Sequence, residues 1–161
     1  DSYRLTDLLI ADLEEALRLS GTETLDDALA FFITQGVGAV VVTNGSRDVA
    51  LAIGAERYAP CARQRFPVSG AIVAELAAHP ERKRDTTGCG DNFAGGVIAD
   101  VARQLEAGAQ HVDLAAAIAC GAVSGGLACF HFGGVFYEAW PGEKRERMAP
   151  YLEAYAQACR P

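Results

Sequence analysis

Residues 85–91 read DTTGCGD, and the residues that follow, NFAGG, turn helical in character. Two acids bracket two threonines, two glycines and a cysteine at the mouth of that helix. A plain turn needs a glycine or two for its backbone and no such concentration of carboxylates. If Asn92 begins the helix, the N–H groups of Gly88, Cys89 and Gly90 lie at its positive end. The first N–H groups of a helix have no internal partner, and the macrodipole there is worth about half a unit of positive charge. Glycines let such amides converge and let an anion reach them unobstructed. The stretch therefore has the form of a phosphate or oxyanion pocket.

Asp91 would repel a phosphate sharing the pocket, and its presence makes sense if it has a proton to take. A carboxylate beside an anion hole can accept the proton of an attacking alcohol while the amides hold a migrating phosphoryl group. Asp85, at the other end of the loop, is suited to orient a cation or its waters. Spacing alone leaves a second reading open, with Asp91 as a helix cap and the glycines as a tight turn. A third reading makes Cys89 a nucleophile, since a helix start favours thiolate. Gly95 and Gly96 each cost a helix about 1 kcal/mol relative to alanine. Their presence predicts close approach of a neighbour, either a helix or a nucleotide.

Outward from this stretch, helices alternate with strands. LLI at Leu8–Ile10 predicts a short buried strand, and Asp12-Leu-Glu-Glu15 a capping box opening a helix that ends near Gly21. Thr24-Leu-Asp-Asp27 opens a second helix, with Leu25, Ala28, Leu29 and Phe32 on one face and Gly36 as its stop. Ala39–Thr43 reads as a strand, Asn44-Gly45 as a turn, and Val49–Ile53 as the returning strand. ERYAPCARQRFPV leaves room for another short strand, and GAIVAELAAHP is a helix stopped by Pro80. Further helices are expected from about Asn92 to Leu105, from about Val112 to Cys129 and from about Pro150 to Cys159. Together these elements predict one layered α/β domain over residues 1–161.

At 161 residues the chain can bury a real core, and with half its residues hydrophobic it is not a disordered composition. Lys and Arg number 14 against 21 Asp and Glu, a formal net charge of −7. That argues against a general nucleic-acid binder, which needs a cationic face. The five cysteines, Cys61, Cys89, Cys120, Cys129 and Cys159, form no CxxC pair, so a reducing, cytoplasmic setting is expected. DSYRLTD at the start has no secretion-signal character. The Ala- and Gly-rich run from Ala115 to Phe130 is shorter than the ~20 residues of a membrane span and reads as a tightly packed buried helix. His79, His111 and His131 have no metal-ligand spacing, and His131 reads as a packed loop residue. EKRER at Glu143–Arg147 reads as a solvated charged face. Met148, Leu152 and Tyr155 give the final segment a docking side. The aromatic run from Phe132 to Trp140 is left open between core, edge strand and partner surface.

DTTGCGDNFAGG resembles the second signature of the ribokinase-like sugar kinases, the PfkB carbohydrate kinase family, whose usual form is DTTGAGDxFxxG; Cys89 stands where the family has Ala. TNGSRD at Thr43–Asp48 is similar to the family's TxGxxG nucleotide turn, with Asp48 in place of its second glycine. ADLEEA at Ala11–Ala16 resembles the NxxE element, with Asp12 for Asn and Glu15 matching the Glu. FHFGG at Phe130–Gly134 falls where the family has a loop bordering the nucleotide and a monovalent cation. The matches cover residues 8–134 in the family's order, and the stretch from Cys61 to Arg84 is longer than the usual connection. No GKS or GKT is present, so the glycine stretch is not a Walker A loop.

The resemblance implies a ribokinase-like α/β sandwich carrying a β-hairpin and a nucleotide-binding anion hole. It implies an ATP-dependent phosphotransferase that moves the γ-phosphoryl group to an alcohol of a sugar or sugar-like acceptor. Asp91 would be the base and the amides of Gly88, Cys89 and Gly90 the anion hole. Thr43, Gly45, Asp12 and Gly133 would border ATP. Glu15 would lie near Mg²⁺, and Asp85 and Thr87 near a monovalent cation such as K⁺. Expected partners are the small-molecule acceptor and the nucleotide, with no nucleic acid or membrane and with a homodimer as one assembly. Family members run to about twice this length, so the chain is expected to be the C-terminal portion, without the N-terminal substrate and lid part. Alone it is expected to be weak or inactive as a kinase. The alternative is a non-catalytic nucleotide-binding or assembly module derived from such a kinase.

Overall fold

The run AVVVT is rich in β-branched residues, which suit a pleated, buried surface. In the computed structural model it forms a strand buried along four of its five residues. The structure describes residues 2–159; Asp1, which opens the DSYRLTD stretch, and residues 160 and 161 lie outside the described residues. The chain divides into two compact units, Asp1–Pro67 with Gln104–Leu114, and Val68–Arg103 with Ala115–Pro161.

The first unit holds a four-stranded sheet among the described residues: β1 (Leu8–Asp12), β2 (Ala39–Thr43), β3 (Asp48–Ile53) and β4 (Arg65–Pro67), in that spatial order. β1 and β2 run parallel, in a register that pairs Leu8 with Ala39 and Asp12 with Thr43. Parallel neighbours need a crossover, and α1 (Leu13–Ser20) and α2 (Leu25–Thr34) supply it. The capping box forms as its sequence predicts: Glu15 N–H donates to Asp12 Oδ1 at 2.8 Å, and Asp12 N–H to Glu15 Oε2 at 3.1 Å. Gly21 then ends α1 in the left-handed conformation, its N–H donating to Leu17 O at 2.9 Å. Ala28, Leu29 and Phe32 of α2 pack with Ala16, Val40 and Val42 in one apolar core. β2 and β3 form the expected hairpin, closed by Asn44 N–H on Asp48 O at 2.9 Å. Asp48 Oδ1 also accepts from Asn44 Nδ2 at 3.1 Å, so the residue standing at the family's second glycine braces the turn itself.

The second unit contains α3 (Gly70–Ala78), α6 (Glu143–Ala158) and most of α4 (Cys89–Glu106) and α5 (Leu114–Ala128). α4 and α5 meet backbone to backbone. A Cβ on Gly96 would stand 2.8 Å from Cys120 O, one on Gly121 2.9 Å from Phe93 O, and one on Gly125 2.9 Å from Cys89 O. The neighbour expected at Gly96 is thus α5, whereas nothing lies within 4 Å of a Cβ on Gly95. The Ala- and Gly-rich run is indeed a buried helix, and among the described residues no helix is long and apolar enough to cross a membrane. The long stretch before the signature is ordered structure: β4 pairs with β3, and α3 buries Ile72 against Gly126.

Two helix starts differ from the sequence reading by three residues or more. α4 begins at Cys89 rather than Asn92, because Gly90 and Asp91 continue the helix and leave only Gly88, at φ 73°, in the turn. α6 begins at Glu143 rather than Pro150, which lies inside the helix. Glu138 supplies the reason: its carboxylate accepts from Lys144 N–H at 2.9 Å and from Gly142 N–H at 3.3 Å, capping a helix the sequence does not announce. EKRER is accordingly not a uniformly solvated face. Glu143 is buried, bonded to Ala139 N–H at 2.6 Å and to the Arg147 guanidinium at 2.7 and 2.9 Å. Met148 and Tyr155 are buried as their spacing predicts.

Candidate active site

In the second unit the glycine stretch is folded around a close approach of two loops. Asp85 Oδ1 accepts Thr87 N–H at 2.8 Å, and its other oxygen accepts Gly133 N–H at 3.3 Å. That carboxylate ties the DTTG segment to the 133–134 turn. A Cβ on Gly88 would stand 2.9 Å from Gly134 Cα, and one on Gly134 2.5 Å from Thr87 O. Gly134 also has φ 67°, a conformation that disfavours any side chain. Both positions therefore need glycine.

Asn92 joins the parts. Its Nδ2 donates to Gly88 O at 2.8 Å and to Gly134 O at 2.6 Å, and its Oδ1 accepts from Lys144 Nζ at 2.7 Å. Burial lowers the pKa of Lys144, with Glu138 acting in the opposite direction. Sequence reasoning passed over both residues. Asn92 was visible beside the signature, but its partner lies 52 residues away and carries no local signal.

Of the three amides expected to receive an anion, that of Cys89 donates to Thr86 O over a long 3.2 Å bond. Those of Gly88 and Gly90 make no such bond among the described residues, in keeping with the unpartnered first N–H groups of a helix. Asp91 sits in the first turn of α4, exposed, with no ion pair among the described residues. Its carboxylate is accessible to a ligand at the helix start. The Cys89 thiol is a different matter: burial, then its contact with Cys129, pushes its pKa up to about 12. The raised value leaves little standing thiolate at neutral pH and counts against Cys89 as the catalytic nucleophile.

His131 is a packed loop residue, its ring edge-on to Phe136 with centroids 5.0 Å apart. Burial, then the nearby charges of Arg147 and Lys144, lowers its pKa and favours the neutral ring. The aromatic run is mostly surface: Phe132 is 71% and Tyr137 87% exposed.

The first unit gathers the other expected residues. Asp12 and Thr43 are register partners at the C-terminal ends of parallel strands, the edge at which α/β sheets receive ligands. Glu15 follows one turn into α1, and Gly45 lies in the exposed turn after β2 at φ 56°. The capping box occupies one oxygen each of Asp12 and Glu15 and leaves Oδ2 and Oε1. Asp12, Glu15, Thr43 and Gly45 thus form one cluster, and Asp85, Thr87, Gly88, Cys89, Gly90, Asp91 and Gly133 another.

Among the described residues, no three His, Cys, Asp or Glu side chains converge into a metal cage. Mg²⁺ in phosphoryl transfer needs none, since it keeps several waters and takes one or two carboxylates plus phosphate oxygens. The remaining oxygens of Asp12 and Glu15 fit that mode.

The family model described as pfkB family carbohydrate kinase matches residues 1–139. No curated protein matches the chain in sequence comparison. Among solved structures, the chain is similar to ribokinase from Thermotoga maritima, at 22% identity and a TM-score of 0.66, over 94% of this chain and 43% of that one. It is similar to fructokinase from Vibrio cholerae O395 in a form with fructose, ADP and calcium ion bound, at 21% identity and a TM-score of 0.67, over 94% and 42%. A third likeness is to an E. coli protein provisionally assigned as Ribokinase II, in complex with ATP and Mg²⁺, at 27% identity and a TM-score of 0.58, over 97% and 41%. The chain spans about two fifths of the length of these structures.

Proposed function

Because the chain belongs to the pfkB family of carbohydrate kinases, we propose that it serves the transfer of the γ-phosphoryl group of ATP to an alcohol group of a sugar or sugar-like acceptor. One observation carries this reading: α4 follows Gly88, which has no side chain to cap it, and its first turn carries an exposed carboxylate, Asp91, with no ion pair among the described residues.

Asp91 takes the acceptor's hydroxyl proton as that oxygen attacks phosphorus, a role worth about 10²–10⁴-fold in rate. The N–H groups of Gly88 and Gly90 hold the charge of the migrating phosphoryl group, with that of Cys89 shared with Thr86 O. Asn92 and Lys144 act as positioning residues, since they hold the Gly88 and Gly134 carbonyls in place. Thr43, Gly45, Asp12 and Gly133 border the nucleotide, and Glu15 would help hold Mg²⁺, which would supply neutralisation of phosphate charge. Asp85 and Thr87 line the place of a monovalent cation such as K⁺, with the Asp85 carboxylate already fixing both neighbouring loops. A reducing, cytoplasmic setting belongs to the same proposal.

The test is calorimetry with ATP and Mg²⁺ on the chain and on its Asp91→Ala variant, beside a phosphorylation assay on sugars and nucleosides. Nucleotide binding should survive the substitution within about threefold, and turnover should not, because a base acts in the chemical step alone. Binding by both with turnover by neither, even with the N-terminal part of a family kinase supplied in trans, would make the chain the non-catalytic nucleotide module instead. Absence of binding, or turnover indifferent to Asp91, would end the proposal.

A further inference from the structure

Cys89 and Cys129 are forty residues apart in sequence, yet their Sγ atoms stand 3.5 Å apart, both as free thiols. Each is anchored through its backbone. Gly125 of α5 has no Cβ where the Cys89 carbonyl oxygen approaches, and a methyl there would lie 2.9 Å from it. Cys129 O accepts Arg84 N–H at 2.9 Å, and Cys129 N–H donates to Gly126 O at 3.1 Å. Both thiols are half-buried, so they are reachable by a small reagent without being loose on the surface. A disulfide requires about 2.05 Å between sulfurs. Closing the gap takes about 1.5 Å in all, within reach of side-chain rotation from two fixed backbones.

We infer that Cys89 and Cys129 form a reversible intramolecular disulfide, a modification site placed on the first residue of α4. The oxidant is a low-molecular-weight disulfide such as oxidised glutathione. One cysteine, as thiolate, attacks a glutathione sulfur, forming a mixed disulfide and releasing one glutathione thiolate. The second cysteine loses its proton to solvent and attacks the first cysteine's sulfur, releasing the second glutathione. Two protein thiols are oxidised and one glutathione disulfide is reduced to two thiols. In a reducing compartment such a bond is transient and suits sensing. It ties the side chain of Cys89, the first residue of α4, to the turn that follows α5, beside the amides proposed to receive phosphate. The consequence for ATP rests on the proposed function; the disulfide rests on geometry alone.

The experiment exposes the full chain to graded mixtures of oxidised and reduced glutathione, traps free thiols with iodoacetamide, and maps the peptides by mass. A Cys89–Cys129 cross-linked peptide, two hydrogens lighter and lost with dithiothreitol, is the expected result. The Cys129→Ser and Cys89→Ala variants, checked for folding by circular dichroism, should each leave the other cysteine alkylated or glutathionylated. Persistent glutathione adducts on the wild-type pair, no reaction, or a bond to Cys61, Cys120 or Cys159 would overturn the inference. Calorimetry should then show ATP binding at least tenfold weaker after oxidation. Equal affinity in both states would remove the gating, whereas a reduced chain that never binds ATP would count against the proposed function and leave the cross-link standing.

Discussion

The first turns of α1 and α4 both carry acidic residues, and what their amides receive is opposite. At α1, Asp12 and Glu15 close on each other's backbone and consume the helix start internally. At α4 the residue before the helix is Gly88, which has no side chain to offer, and Asp91 has no ion pair among the described residues. A helix start becomes available to a ligand where the sequence withholds its own cap. In α4 that withholding is supported by Asp85 and Gly134 from outside the helix and by Asn92 from its first turn.

The sharpest way to break this contrast is Asp91→Asn. In an active assembly it should lower turnover about 10²–10⁴-fold while the melting temperature stays within a degree or two, on the order expected of an exposed site. A fall in stability matching the fall in activity would make Asp91 a cap like Asp12. Next in size, Gly134→Ala should destabilise the protein by roughly 2–4 kcal/mol in urea unfolding, since it adds a left-handed penalty to a backbone clash. Asp12→Ala should cost about 1 kcal/mol of stability in urea unfolding and should also weaken ATP binding in calorimetry, since Asp12 is proposed to border the nucleotide. Gly95→Ala should stabilise by up to about 1 kcal/mol, as the helix gains propensity with nothing near the new methyl; an equal loss would mean that α4 is packed on that side too.

The smallest effect at neutral pH concerns a third helix start. The Ala139 N–H and then Arg147 hold the Glu143 carboxyl below its ordinary range, against the opposing effect of burial. Its contribution is therefore complete above about pH 4.3, the ordinary glutamate value, and is lost as pH falls through the lowered one. Hydrogen exchange at the first turn of α6 should be flat from neutral pH down to roughly pH 5 after correction for intrinsic rates, and should loosen only below the glutamate range.

How much of this was legible follows the range of each interaction. The capping box, the strand Ala39–Thr43 and the stops at Gly21 and Gly36 depend on neighbours within a few residues, and the sequence displays them. β1 runs two residues past its apolar core because Ala11 and Asp12 pair with Val42 and Thr43, partners no local pattern reveals. The start of α4 was misplaced by three residues since glycines read as turn wherever they cluster, although Gly90 is helical. The sequence reading starts α6 late because Pro150 looks like a first-turn residue, while the side chain that caps it, Glu138, precedes Gly142 and lies within the aromatic run. The Asn92–Lys144 bond and the Cys89–Cys129 pair join positions 52 and 40 residues apart, which only folding brings together.

The glycine seam between α4 and α5 has a mechanical consequence. Gly96, Gly121 and Gly125 each receive a different group of the opposite helix, so a slide along the axis would drive every one of those groups into a side chain. The two helices have a single register, and α4 cannot be ratcheted to retune its tip. Where its amides point is decided along its flank, and any adjustment at the tip falls to the loops that meet it.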